Sequence, residues 1–500
     1  MRKPGHRMRQ QSGRRKSGRV RMPSPLRRQR GAFAVMAAAL ILVMLGFCGL
    51  AVDLGRVYNR KIELQGMADA AALAAAAELD GTSEGVERAL TAAADSAGRN
   101  YRYDYAASFI AWTSAALRFG AAPGGATWLD AEQARAQAQN LFYVEVDTSR
   151  LAPEHGKVDM ALLKVLPSVS ASIETGGRAV AGRSTVNITP LAICAMSDVR
   201  GEPRGEELLE HGFRRGISYN LMKLNPDNSA KGANFLINPM APPGSAGGSV
   251  KSRLDVIRPF VCTGTMAMPR VTGGNITVEH DFPLGSVYGQ LNSRFGSYSG
   301  PCTAAGAPPD TNVKEYTVSD TTNAISWVTD KPAGQAAAST TKDNRLHTVA
   351  DLPADTDNPT TAPMYGPLWI YAKPAKFSNY IEGKPEPAAG YTTFSASTTD
   401  WNKLYTPGPP KLAGTYPTPV PAKASGYTLS PTGLTGVADR RILNVPLLNC
   451  PVDSGSPTQA EVLAVARFYM TVRATEENLV AEFAGLARPE TLRGPVELYQ

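Results

Sequence analysis

Residues 31–79 read GAFAVMAAALILVMLGFCGLAVDLGRVYNRKIELQGMADAAALAAAAEL, and this stretch decides the architecture. Its first part, Gly31–Val52, is 22 residues without a charge. At 1.5 Å per residue an α-helix of that length runs about 33 Å, enough for a hydrocarbon layer of about 30 Å. Arg27, Arg28 and Arg30 close one end, and Asp53, Arg56 and Arg60 close the other. A buried helix of a soluble domain carries polar residues on one face over such a length. None occurs here, so Gly31–Val52 reads as a transmembrane helix.

The charge distribution sets an expected orientation. Residues 1–30 hold 12 Lys/Arg and no Asp/Glu, while the remaining chain holds 40 Lys/Arg against 44 Asp/Glu, a net charge of −4. The overall +8 therefore comes from the tail, and no basic domain is left to grip phosphate, which argues against a nucleic-acid partner. The positive-inside bias keeps residues 1–30 in the cytoplasm and exports the rest. That tail is rich in Arg, Gly, Ser and Pro, a composition that disfavours folding and suits anionic lipid headgroups. A cleaved signal peptide has a shorter apolar core and a small-residue cleavage site. Here the run passes straight into Asp53-Leu54-Gly55-Arg56, so an uncleaved anchor is expected.

Beyond the span no proline interrupts the chain until well past Gly81, and Ala and Leu dominate. One long helix is expected from Gly31 to Leu79, stopped by Gly81. Ala68, Ala71, Ala72, Ala75 and Ala76 fall at helical spacing and form a thin contact face. Such a face admits a close neighbour, either the chain's own domain, the simpler reading, or a partner helix. A second helix is expected over Ser83–Arg99, with Thr82 or Ser83 as cap. Phe142, Val144 and Val146 alternate with polar residues as in a strand, and the apolar stretch Met160–Ile173 leads to Arg178–Gly182.

The expected fold class is α+β. A tail (1–30) and a span (31–52) precede a small α+β domain (53–185) and a β-rich exported domain (186–500). Pro and Gly together supply 84 of 500 residues, too many for long helices in that last part. Strands are expected at Ile276–Val278, Leu368–Tyr371, Arg441–Val452, Val462–Val472 and Leu479–Gly485, with irregular chain over Thr303–Pro363 and Lys373–Thr432. No fixed-period repeat is present.

Cys48 lies in the span as a small apolar filler. The exported part holds Cys194, Cys262, Cys302 and Cys450, an even number that points to two disulfides in an oxidising compartment. Three pairings are open. Cys262 with Cys302 closes a loop of about 40 residues, which the chain-entropy relation values at about 4 kcal/mol, and leaves Cys194 for Cys450. No C-x-x-C spacing exists, so zinc is a poor alternative. Nucleophile-elbow, zinc-protease and P-loop patterns are absent, and His155, His211, His280 and His347 are scattered. Asp355 and Asp357 begin a calcium-like run, but Pro359 interrupts it and the loop glycine is missing. Asn187 and Asn275 open glycosylation-type sequons of a kind common by chance. These readings point to a non-enzymatic chain without a cofactor or a metal.

RRQRGAFAV (27–35) followed by GLAVDLGRVYNRKIELQGMADAAALAAAAEL (49–79) resembles the N-terminal region of TadG-like proteins of the Flp (Tad) pilus system. Weaker likeness extends to RAVAG at 178–182, NFLINPMAPPG, LNSRFGSY and VPLLNCPV. The resemblance implies an accessory component of pilus assembly or secretion in the inner (cytoplasmic) membrane, with its bulk in the periplasm. Its partners would be other pilus-assembly or secretion components. The Asp-x-Ser-x-Ser motif of adhesive relatives is missing, and Met36 stands where prepilins carry Glu. A minor pilin or surface adhesin, and a tethered periplasmic enzyme or ligand-binding protein, are the competing classes.

Overall fold

A computed structural model describes residues 30–100, 110–162, 170–204, 207–224, 234–245, 247–249, 253–280, 284–316, 337–342, 345–348, 380–381 and 429–499. The basic tail before Arg30, the expected strand Leu368–Tyr371 and the Asp355–Asp357 run lie outside the described residues. The fold is α+β, and the chain divides into two units. One comprises Met1–Arg60 with Lys157–Thr175; the other comprises Lys61–Gly156 with Gly176–Gln500.

Helix α1 runs Arg30–Glu78, 49 residues without a break, as its Ala- and Leu-rich composition dictates. Gly81 follows at φ +86°, the left-handed conformation that glycine adopts without strain, and ends it. Helix α2, Ser83–Asn100, starts on Thr82, whose hydroxyl accepts from the Gly85 amide at 3.0 Å. In order of chain, the strands that build the first sheet and a hairpin are β1 (Leu117–Gly120), β2 (Tyr143–Asp147), β3 (Lys157–Asp159), β4 (Ser172–Glu174) and β5 (Arg178–Gly182).

In the first unit, β3 and β4 pair antiparallel, Val158 opposite Ile173, beside the first half of α1. In the second unit, β1, β2 and β5 form an antiparallel sheet with a fourth strand from the other end of the chain, Glu497–Tyr499. Leu117, Phe119, Val144, Val146, Ala179 and Ala181 point one way and bury against α2 and the alanines of α1. On the alternate face Tyr143, Glu145 and Val180 are buried as well: Tyr143 packs edge-on to Tyr499 at 5.4 Å, and Glu145 accepts from Nε of the exposed Arg178 at 2.6 Å.

The larger sheet uses β6 (Leu191–Cys194), two short hairpin strands β7 (Glu202–Arg204) and β8 (Glu207–Leu209) beside it, then β9 (Ser218–Asn220), β10 (Phe235–Ile237) and β11 (Asn275–Glu279). After a separate hairpin, β12 (Ala337–Lys342) with β13 (Arg345–Thr348), come β14 (Ile442–Leu448), β15 (Thr458–Met470) and β16 (Val480–Leu486); β17 is Glu497–Tyr499. The order is β11-β10-β6-β14-β15-β16-β9, and β11 also pairs with β15, so five strands close a circuit. The 13-residue β15 makes this closure: Thr458–Glu461 meets β11, and Val462–Tyr469 meets β14. One core gathers Ala192, Cys194, Phe235, Ile237, Ile276, Val278, Ala460 and Val462 from the circuit. The opposite faces of β6 and β14, with Phe468 and Phe483, form the second core with the short helices Leu254–Thr263 and Leu284–Leu291.

Candidate functional site

The first half of α1 displays an apolar surface. Phe33 is 73% exposed and Leu42 is 70% exposed, and the helix is long and apolar enough to cross a membrane, with a mean hydropathy of 2.7 over its best window. Polar chemistry begins where that surface ends. Asp53 is fully buried; its Oδ1 accepts from the Ala161 amide at 2.7 Å and its Oδ2 from the Leu162 amide at 3.0 Å. Arg56 donates to the Asp159 carbonyl at 3.0 Å. In the sequence Asp53 and Arg56 mark only the charged boundary of the span. The clasp they make needed the β3–β4 hairpin, more than 100 residues away, to be visible.

Farther along α1, Ala68, Ala71, Ala72, Ala75 and Ala76 are each at 0% exposure, packed on the first sheet and on Val86, Ala89 and Ala93 of α2. The structure therefore seats this face in the chain's own domain, and no partner helix is needed to cover it. A methyl side chain lets a helix approach a sheet closely, and larger residues would hold them apart. Gly177 works to the same end: a Cβ there would meet the Leu64 carbonyl oxygen and Gln65 nitrogen at 2.5 Å. Gln65 seals the contact, accepting from the Arg178 amide at 3.1 Å and donating to the Arg178 carbonyl at 2.8 Å.

The exposed carbonyls at the end of α1 are satisfied by arginines. Arg183, buried, donates to Ala77 O at 2.8 Å, Leu79 O at 3.1 Å and Gly494 O at 3.1 Å. Burial, with the nearby Arg493 cation, pulls its guanidinium down to about 10. Arg493 itself donates to Ala77 O at 3.2 Å and pairs with Asp80 at 3.6 Å. Positive charge at a helix C-terminus also complements its dipole. Asp80, Arg183 and Arg493 line a cleft of about 70 Å³ with Phe142, Arg270 and Leu492.

The β-rich part is cross-linked in two ways. Cys194, the last residue of β6, bonds Cys450, two residues past β14, with Cα atoms 5.6 Å apart, and Cys262 bonds Cys302 at 5.4 Å. Buried guanidiniums hold the loops. Arg441, with 0% exposure, donates to Met470 O at 2.9 Å and 2.6 Å and to Asn312 O at 2.9 Å, and stacks over Phe295 and Tyr469 at 4.5 Å and 4.4 Å. Arg215 and Glu210 form a buried two-pronged pair at 2.6 Å and 2.9 Å. Nothing local in the sequence marks Arg441 as buried, since its carbonyl partners lie 29 positions ahead at Met470 and 129 positions back at Asn312. Of the scattered histidines, His155 accepts from the Ala111 amide at 3.0 Å and His211 sits within 3.1 Å of Ser197 O, both as loop fasteners.

Among known families, one described as putative Flp pilus-assembly TadE/G-like matches residues 31–78. The matched segment is α1 from its second residue to its last, and it covers about a tenth of the chain. No curated protein and no solved structure matches the chain. The family segment thus combines the apolar surface, the Asp53 clasp, the Gln65 contact and the alanine seam on one helix.

Proposed function

We propose that this chain is a membrane-anchored, non-catalytic accessory protein of Flp-type pilus assembly or secretion, working through protein contacts in the periplasm. The observation that carries the reading is the TadE/G-like pilus-assembly match on a helix whose leading surface is apolar and exposed. The 12 basic residues ahead of the span favour a cytoplasmic N-terminus in the inner membrane and an exported body. Disulfides in that body suit an oxidising periplasm. Its partners would be other pilus-assembly or secretion components, met by the β-rich unit.

The test removes the β-rich body without damaging the first sheet. A blunt truncation after residue 185 would also delete β17 and the Arg493 clamp. The chain itself offers a shortcut, because Asn187 donates to the Leu492 carbonyl at 2.7 Å. Joining residue 188 to residue 490 by a short Gly-Ser linker keeps both ends. Cells carrying this variant at normal level should lose fibres. Normal fibres would remove the assembly reading.

A further inference from the structure

The β3–β4 hairpin folds against α1 at a position that fixes its height relative to the apolar surface. A Cβ built on Gly49 would lie 3.0 Å from Leu162 Cβ, so the chain leaving β3 touches the helix at Gly49. Gly49 sits three residues before Val52, where the uncharged run ends. At 1.5 Å per residue that is about 4.5 Å inside the run. If residues 31–52 span a bilayer, Leu162 lies at the depth of the span's last turn.

The chemistry of the turn suits that depth. Asp53 places a carboxylate at the edge of the apolar run, where an unpaired charge is costly. The Ala161 and Leu162 amides meet it at 2.7 Å and 3.0 Å, so donor and acceptor satisfy each other where water is scarce. Leu162 remains 49% exposed, and Leu50 and Val52, on α1 next to the Gly49 contact, are exposed apolar residues too, at 46% and 50%. Lys157, two residues before Asp159 at the base of the hairpin, is exposed to water and marks the polar side.

We propose that the Met160–Leu162 turn seats in the interfacial layer of the bilayer beside the end of the transmembrane helix, with lipid covering Leu162. The anchor then holds the membrane at two points, a spanning helix and an interfacial wedge, clasped by Asp53. This inference rests on the reading that α1 spans the membrane.

The test uses full-length protein with Cys48→Ala, in vesicles of phosphatidylethanolamine and phosphatidylglycerol. A nitroxide is attached at Leu162→Cys, and in parallel at Leu42→Cys and Lys157→Cys. Collision of the label with oxygen, which concentrates in lipid, is compared with collision with a water-soluble nickel chelate. The oxygen-to-nickel ratio at 162 should lie several-fold above that at 157 and below that at 42. Ala161→Cys, on the same turn, repeats the measurement if the Leu162 variant does not fold. Ratios at 161 and 162 equal to that at 157, with Leu42 still lipid-like, would overturn the wedge alone. An aqueous ratio at Leu42 would overturn the spanning helix and the wedge with it.

Discussion

Replacing Ala72 or Ala75 by Leu tests whether the alanine face of α1 is a core or a docking surface. Both residues are at 0% exposure in the seam between α1, α2 and the first sheet. Leucine is nearly as good a helix former as alanine, so propensity contributes little to the outcome. The effect is then overpacking, since three added carbons have no space beside Phe119, Val144 and Ala181. Overpacked cores typically lose about 1–3 kcal/mol, and about 2 kcal/mol is expected for each variant. The two sites are one turn apart and share neighbours, so the double variant should not show a simple sum. For the second unit, roughly 400 residues long, 2 kcal/mol lowers the midpoint by about 2–3 °C. Scanning fluorimetry of the full chain in detergent reads this directly, with the exposed Lys61→Leu as control on the same helix. Protein level in cells should fall with stability, and fibre number with it. An unchanged midpoint and protein level, together with lost fibres, would refute the reasoning and make the face a partner surface.

Four further outcomes follow from the same geometry. Gly177→Ala should destabilise the second unit by about 2 kcal/mol, because the added methyl meets backbone rather than a movable side chain, and thermal melting measures it. Arg441→Lys should cost roughly 3 kcal/mol in denaturant unfolding, since an ammonium cannot replace the fork that bridges Met470 O and Asn312 O. Removing the Cys194–Cys450 link should destabilise more than removing Cys262–Cys302, because the loops close 256 and 40 residues and the entropy relation gives about 5.5 against about 4 kcal/mol. Burial pushes the Asp80 carboxyl up, but hydrogen bonds from Thr82 and the Arg88 guanidinium pull it below 3.8 on balance. Its stabilisation is therefore complete above the unfolded value and lost as pH falls through the lower folded one, so Asp80→Asn should flatten the acid limb of a stability–pH curve.

The helix Arg30–Glu78 was legible from residues alone, because its causes are local: an uncharged run, Ala and Leu, and a glycine past its end. The same holds for α2 with its Thr82 cap, and for β11, β14, β15 and β16, where apolar residues recur at strand spacing. What covers a face is not local. Five alanines at helical spacing look identical whether a sheet of the same chain or another protein lies on them, and only the assembled sheet places Phe119 and Val144 there. The three residues of β17 carry no signal of their own; they become a strand because β5 leaves an edge within reach. The closed circuit depends on β15 being long enough to change partners midway, from β11 to β14. The buried arginines are the clearest case. A guanidinium read in sequence belongs in water, because burial without partners costs more than folding can recover. Arg183, Arg294 and Arg441 are inside because the fold carries carbonyls from 29 to 311 positions away to within hydrogen-bond reach, and that is a property of the tertiary structure alone.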